Sequence, residues 1–229
     1  MPSSAFSADD AGGLETARLL LDIKAVNFRP GEPYTLTAGW ASPVYIDCRR
    51  VISFPQARRR IMRLAAEKLE RDIGFDTIAA IAGGETAGIP YAAWIAEAQS
   101  KPMLYVRKKP KGFGRNAQIE GHFDDGQRVL LVEDLATDGG SKVTFVEALR
   151  TAGAVVSDIF VVFFYDAFPG AAETMEKLGV HLHYLATWQN VLQAAEEGQY
   201  FHQAAIECVR AFLDDPTGWS KAHGGKDSV

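Results

Sequence analysis

The chain has 229 residues, of which 47% are hydrophobic and 23% charged, a balance that supports one large domain with a sizeable core. A net charge of −5 speaks against general nucleic-acid binding, because phosphate affinity needs a basic surface. Two cysteines, Cys48 and Cys208, are too few for a disulfide framework or a zinc cluster, and no segment approaches the ~20 apolar residues that cross a bilayer. The expectation is a cytoplasmic protein with no membrane or nucleic-acid partner.

Residues 1–13 (MPSSAFSADDAGG) read as a flexible N-terminal tail and residues 214–229 as a C-terminal one, with a single domain over 14–213. Leu19, Leu20 and Ile23 are spaced for a helix within 14–26, and YTLTAGWASPVYIDCRR (34–50) predicts two short strands around a Gly-Trp turn. Residues 14–54 thus form a small hood. Beyond them helix and strand patterns alternate: helix 55–70, strand 76–83, helix 90–99, strand 102–106, strand 128–135, helix 141–151, strand 156–164 and helix 170–178. Closing helices follow within 189–213. Nearly continuous apolar strands between helices predict an α/β fold, a doubly wound and mainly parallel sheet covered on both faces. Ligands bind at the carboxyl ends of such strands.

At one of those ends stands VLLVEDLATDGGS, residues 129–141. Thr137 to Ser141 combine hydroxyls, glycines and the N–H groups of a helix start, which favour a phosphate monoester. Glu133 and Asp134, just upstream, are acceptors suited to sugar hydroxyls. The spacing Gly-x-x-x-x-Gly-Lys-Ser/Thr of a triphosphate loop is missing, although Lys142 follows Ser141.

A second feature is YVRKKPKGFGRNAQIEG, 105–121, where Arg107, Lys108, Lys109, Lys111 and Arg115 crowd a loop containing Gly112 and Gly114. Its Gly112-x-Gly114-x-x-Ala117 spacing imitates a dinucleotide fingerprint but lacks an apolar helix after it. Phe113 alone does not make a stacking platform for single-stranded nucleic acid. Such a loop can close over a polyanion, exclude water and reopen. His181 and His183 alternate along a strand and share a face; they read as ordinary strand residues rather than metal ligands. Trp40 and Trp94 read as packing residues.

The 129–141 run resembles the signature of phosphoribosyltransferases that use 5-phosphoribosyl-1-pyrophosphate. Residues 34–50, GGETAGIPYAAWIAE (83–97) and the basic loop further resemble, in order, motifs of the orotate phosphoribosyltransferases. This resemblance implies the type I phosphoribosyltransferase fold and the reaction of orotate with phosphoribosyl pyrophosphate to give orotidine 5′-phosphate and pyrophosphate, a step of pyrimidine synthesis. It implies that Glu133 and Asp134 contact the ribose hydroxyls, that Ala136, Thr137, Asp138, Gly139, Gly140 and Ser141 wrap the 5-phosphate, and that Leu135 between them belongs to the same substrate-binding run. Arg107, Lys108 and Lys111 would contact the pyrophosphate, and Thr137 also the orotate. Lys111 and Asp134 are the candidate catalytic residues. Magnesium would arrive with the pyrophosphate substrate, and loop 107–116 would reach the neighbouring site of a homodimer.

Three positions depart from the family pattern. Phe113 stands where members commonly carry a loop histidine, Ala41 where many carry a lysine, and Ala167, after Asp166, where some carry an arginine. His122 is the nearest histidine to the loop. Orotate would then be held by backbone groups of residues 38–45 and by Thr137. Rival readings are a non-catalytic sensor of phosphoribosyl pyrophosphate and a transferase for another base.

Overall fold

The structure, a computed structural model, describes residues 10–36, 39–111, 118–137, 140–168 and 170–226, without the side chains of Asp10 and Ser141. Helix α1 (Asp10–Asp22) leads into strands β1 (Val26–Phe28), β2 (Tyr34–Thr35), β3 (Ala41–Ser42) and β4 (Val44–Ile46), then a 3-10 turn at Cys48–Ser53. The core comprises α2 (Pro55–Asp72), β5 (Ala80–Gly84), α3 (Gly88–Ala98), β6 (Met103–Val106), β7 (Ile119–Glu120), β8 (Val129–Ala136), α4 (Gly140–Thr151), β9 (Asp158–Phe164), α5 (Ala171–Leu178) and β10 (His181–Ala186). Helices α6 (Trp188–Glu197), α7 (Gln203–Asp214) and α8 (Pro216–Ala222) close the chain.

The six-stranded sheet has the order β10-β9-β8-β5-β6-β7, parallel except for the β6–β7 pair. Taken without β7, its parallel strands follow the doubly wound order 2-1-3-4-5, and the connection reverses direction between β5 and β8. The crevice at that reversal is where open α/β sheets bind ligands. Period-two alternation divides the core: Leu130, Val132, Phe160 and Val162 pack with α2, α3 and α6, whereas Val129, Leu131, Ile159 and Val161 face α4 and α5. The apolar runs are therefore buried on both sides, as the pattern of the sequence implies.

The strand expected at 76–83 starts only at Ala80, after a 3-10 turn at Phe75–Thr77, and both ends of the chain also differ from expectation. Helix α1 starts at Asp10, inside the stretch read as tail, and ends before Val26, which instead opens β1 and pairs with Ile46. The region beyond Leu213 is not a simple tail either, because α8 folds back with Ser220 buried. A short helix starting with Pro216 has too few apolar residues to announce itself by periodicity; its burial comes from contact with the hood. The hood contains two small antiparallel pairs, β1–β4 and β2–β3, with Gly39 and Trp40 at the turn between β2 and β3.

Candidate active site

The carboxyl ends of β5 and β8 open onto a cleft of about 850 Å³ roofed by the hood. From β8 come Glu133, Asp134 and Leu135; beyond it come Thr137, Gly140 and Lys142; from the turn after β5 come Glu85, Thr86 and Ala87. The N-termini of α3 and α4 both face this crevice, so the positive ends of two helix dipoles favour an anion there. The hood contributes Trp40, Tyr45, Asp47 and Arg49, and the loop after β9 contributes Tyr165 and Phe168.

Glu133 sits 93% buried in a seat made by two glycines, since its relative exposure is 7%. A Cβ at Gly84 would lie 1.9 Å from Glu133 Oε1, and one at Gly88 would lie 2.6 Å from the same atom. Only side chains as small as hydrogen leave that space. Its Oε2 faces Lys142 Nζ at 3.4 Å, and that ammonium also donates to Leu135 O at 2.6 Å. Oε1 has no hydrogen-bond partner among the described residues. Burial raises the carboxyl above its usual range; Lys142 opposes the shift and neighbouring Asp134 reinforces it. Asp134 is raised by burial too, against the pull of Lys142 and the backbone N–H groups at Asp134 and Leu135. A buried acceptor beside an open cleft is set to take a hydroxyl hydrogen bond, which costs less than leaving it unmade.

In the sequence Lys142 offers only a fragment of a triphosphate loop; its pairing with Glu133 emerges from the fold. Lys142 is the third residue of α4 and nothing in its local sequence marks it as buried, yet once buried it needs a carboxylate. The role of Gly84 and Gly88 as the seat of Glu133 likewise emerges only from the fold.

The structure brings some predicted residues together and not others. Lys108 reaches the cleft, where its backbone N–H donates to Glu85 Oε2 at 2.7 Å. Arg107 and Lys111 do not line it; both face Glu120 at the base of the β6–β7 arm, Arg107 Nη1 at 3.6 Å and Lys111 in a direct ion pair. Arg107 is also clipped to the arm by its N–H to Gln118 O at 2.8 Å and by Gln118 Nε2 to Arg107 O at 2.9 Å. Residues 112–117, including Phe113, Asp138 and Gly139 lie outside the described residues, as does the Ser141 side chain. Leu135 lines the cleft, and Ala136 is buried with its carbonyl accepting from Tyr165 N–H at 2.8 Å.

Of the backbone donors expected to meet a base, several are already engaged. Gly39 N–H binds Leu36 O, Ala41 N–H binds Ser220 Oγ, and Val44 N–H binds Ser42 Oγ. This narrows the part backbone groups play in the hood. Trp40, read as a packing residue, is buried against Phe168 at 4.7 Å and also forms cleft wall. Trp94 packs edge-on to Tyr91 under the Arg58 guanidinium, away from the cleft. His122 is exposed and sits 3.6 Å from Asp124.

His183 lies at the opposite end of the sheet. Its Nε2 is 2.9 Å from Asp158 Oδ1 and its Nδ1 3.5 Å from Asp72 Oδ2; Lys68 pairs with Asp72 at 2.8 Å and Arg128 with Asp158 at 2.6 Å. Burial resists ionisation of Asp158, but His183, Arg128 and Ser157 overcome it and hold the carboxyl far below its usual range. This chain of charges ties α2 to the amino ends of β8, β9 and β10. Among the described residues no cluster of three or more His, Cys, Asp and Glu side chains is placed to hold a metal, and no helix is long and apolar enough to cross a membrane.

No family model matches the chain. A curated relative, the orotate phosphoribosyltransferase of Sinorhizobium fredii, is 51% identical over 225 residues, spanning 98% of this chain and 97% of its own. Among solved structures, Leishmania donovani UMP synthase superposes with a TM-score of 0.76 at 31% identity over 90% of this chain, which matches 43% of that longer protein. Orotate phosphoribosyltransferase from Aeropyrum pernix gives 0.68 at 32% identity, covering 81% of this chain and 99% of its own. With near-complete coverage at half identity, laid over a doubly wound sheet whose crevice holds the acidic pair, the chain belongs to the orotate phosphoribosyltransferase family.

Proposed function

We propose that this protein is an orotate phosphoribosyltransferase, a pentosyltransferase that moves the phosphoribosyl group of 5-phosphoribosyl-1-pyrophosphate onto orotate. The observation that supports this most is the unpartnered Oε1 of Glu133, buried at the crevice between β5 and β8. A ribose hydroxyl would complete it, with Asp134 taking the adjacent hydroxyl. The 5-phosphate would lie over Thr137 to Ser141 at the amino end of α4. Orotate would enter between the acidic pair and the aromatic wall of Trp40, Tyr165 and Phe168, with Thr137 beside it.

In the reaction the bond from the anomeric carbon to the pyrophosphate oxygen breaks as the orotate nitrogen bonds to that carbon. Orotate gives up its N–H proton and pyrophosphate leaves with the bonding pair. Negative charge grows on the leaving group while the ribose ring becomes oxocarbenium-like. Lys108 stands at the cleft, and Arg107 and Lys111 are carried by the arm. Donors aimed at developing charge supply a large share of such catalysis. Arm closure would also exclude water. Asp134 serves twice, holding the sugar and placing negative charge near the cationic ring.

Magnesium fits this oxygen-rich crevice, where Asp47, Glu85 and Asp134 line the walls without forming a protein cage; it would be held chiefly by substrate oxygens. There it would neutralise charge on the pyrophosphate. A homodimer in which loop 107–116 serves the neighbouring site is part of this reading; Arg107 and Lys111, held on Glu120, do not line their own cleft, although Lys108 does. Free Cys48 and Cys208 agree with a reducing cytoplasm.

Loss of orotate absorbance in the presence of magnesium and phosphoribosyl pyrophosphate, run beside uracil and purine bases, tests the proposal. Orotate alone is expected to be consumed. No consumption of any base would favour a sensor, and consumption of a purine would reassign the acceptor.

A further inference from the structure

The segment after α7 grips the hood where it forms the aromatic wall. Ser220 is fully buried; its Oγ accepts the Ala41 N–H at 3.0 Å and donates to Lys226 O at 2.7 Å. Lys226 N–H donates to Gly39 O at 2.9 Å, and its ammonium lies 5.4 Å over the Trp40 ring. A Cβ at Gly225 would lie 2.3 Å from Ala41 N and 2.7 Å from Ala41 Cβ, so the approach is close enough to require glycine. A ladder of aromatic contacts links the same parts: Trp219 to Phe212 at 5.5 Å, Phe212 to Phe168 at 5.9 Å, and Phe168 to Trp40 at 4.7 Å.

Strands β2 and β3 pair over two positions, Tyr34 with Ser42 and Thr35 with Ala41. An isolated hairpin of that size is not stable in water. From the core side, Tyr165 hydroxyl donates to Val44 O at 3.0 Å and lies 3.2 Å from Ser42 Oγ. That fastens one end of β3, while Ser220 and Lys226 fasten the other. Trp40, Tyr165 and Phe168 all line the cleft, so whatever holds residues 39–41 also sets the shape of its wall.

We propose that α8 and the turn to Lys226 are a positioning brace for the acceptor base, acting through Trp40 and Phe168, with Ser220, Gly225 and Lys226 as its contact residues. The assignment of the base as orotate rests on the proposed function; the mechanical coupling does not.

The test compares Ser220→Ala, Lys226→Met and a chain ending at Asp215 with the parent protein. KM for orotate is expected to rise roughly five- to tenfold in Ser220→Ala, the scale of one lost hydrogen bond, with KM for phosphoribosyl pyrophosphate unchanged. Arg128→Ala, which weakens the protein from the far end of the sheet, should move neither constant. Equal changes in both KM values, or none, overturn the brace. Hydrogen exchange of residues 39–44 without any substrate gives an independent readout: faster exchange in all three variants supports the brace, and parental exchange refutes it. If the parent consumes no orotate, the functional reading fails while the exchange result still decides the coupling.

Discussion

Removing the Lys142 ammonium should destabilise the protein in a pH-dependent way. In Lys142→Met the chain length and apolar stem are largely kept, but Glu133 loses its buried counterion. At 3.4 Å and an effective dielectric near 20, the pair attracts by about 5 kcal/mol. Part of this is offset because a buried ammonium no longer has to be desolvated. Breaking one side of a buried pair leaves a net cost of about 3 to 5 kcal/mol. The sign with pH follows from the carboxyl. Burial already raises Glu133 in the folded state, so an ionised Glu133 costs nothing below the unfolded value and progressively more as pH rises through the folded one. Deleting Lys142 raises the folded value further and widens that window. Urea denaturation at pH 8 should therefore show a loss of about 3 kcal/mol, equivalent to a fall in Tm of about 6–12 °C for a chain this size. At pH 5 the gap to the parent should shrink by half or more. An equal gap at both pH values would refute the claim that Glu133 is the group left uncompensated.

Gly84→Ala should displace the Glu133 carboxylate, given the 1.9 Å approach of its new Cβ, and weaken phosphoribosyl pyrophosphate binding by tenfold or more in calorimetry; parental affinity would show that the seat is not needed. Lys111→Ala should keep that binding within tenfold yet lose about 100-fold in steady-state turnover, the scale of one electrostatic donor. Mixing Lys111→Ala with Asp134→Asn protein should restore turnover if the arm serves the partner's site, and leave it at the level of the separate variants if it does not. Asp158→Asn should cost about 2–4 kcal/mol at pH 7 by breaking the contacts to Arg128 and His183. Because the folded Asp158 carboxyl is held low, its contribution is present above the unfolded value and lost as pH falls toward the folded one. The difference from the parent in urea should thus be smaller at pH 3 than at pH 7.

The doubly wound core and the phosphate end of the cleft are legible in the chain itself. Strands such as VLLV and IFVVFF are apolar at every position, which only a sheet covered on both faces can bury, and the acidic pair with its Gly-rich helix start is contiguous in the chain. Whatever joins distant residues emerges only on folding. The seat of Glu133 needs Gly84 and Gly88 from another strand and helix; the burial of Lys142 cannot be read from its neighbours in sequence. The anchoring of Lys111 on Glu120 depends on the antiparallel return of β7, a strand of two residues too short to show a period. The C-terminal segment shows the limit most plainly: Ser220 meets Ala41 across 179 positions, through a backbone donor that carries no side-chain signal at all. Local patterns record which faces must be buried, whereas contacts made by backbone atoms and single glycines are set only when the chain has folded.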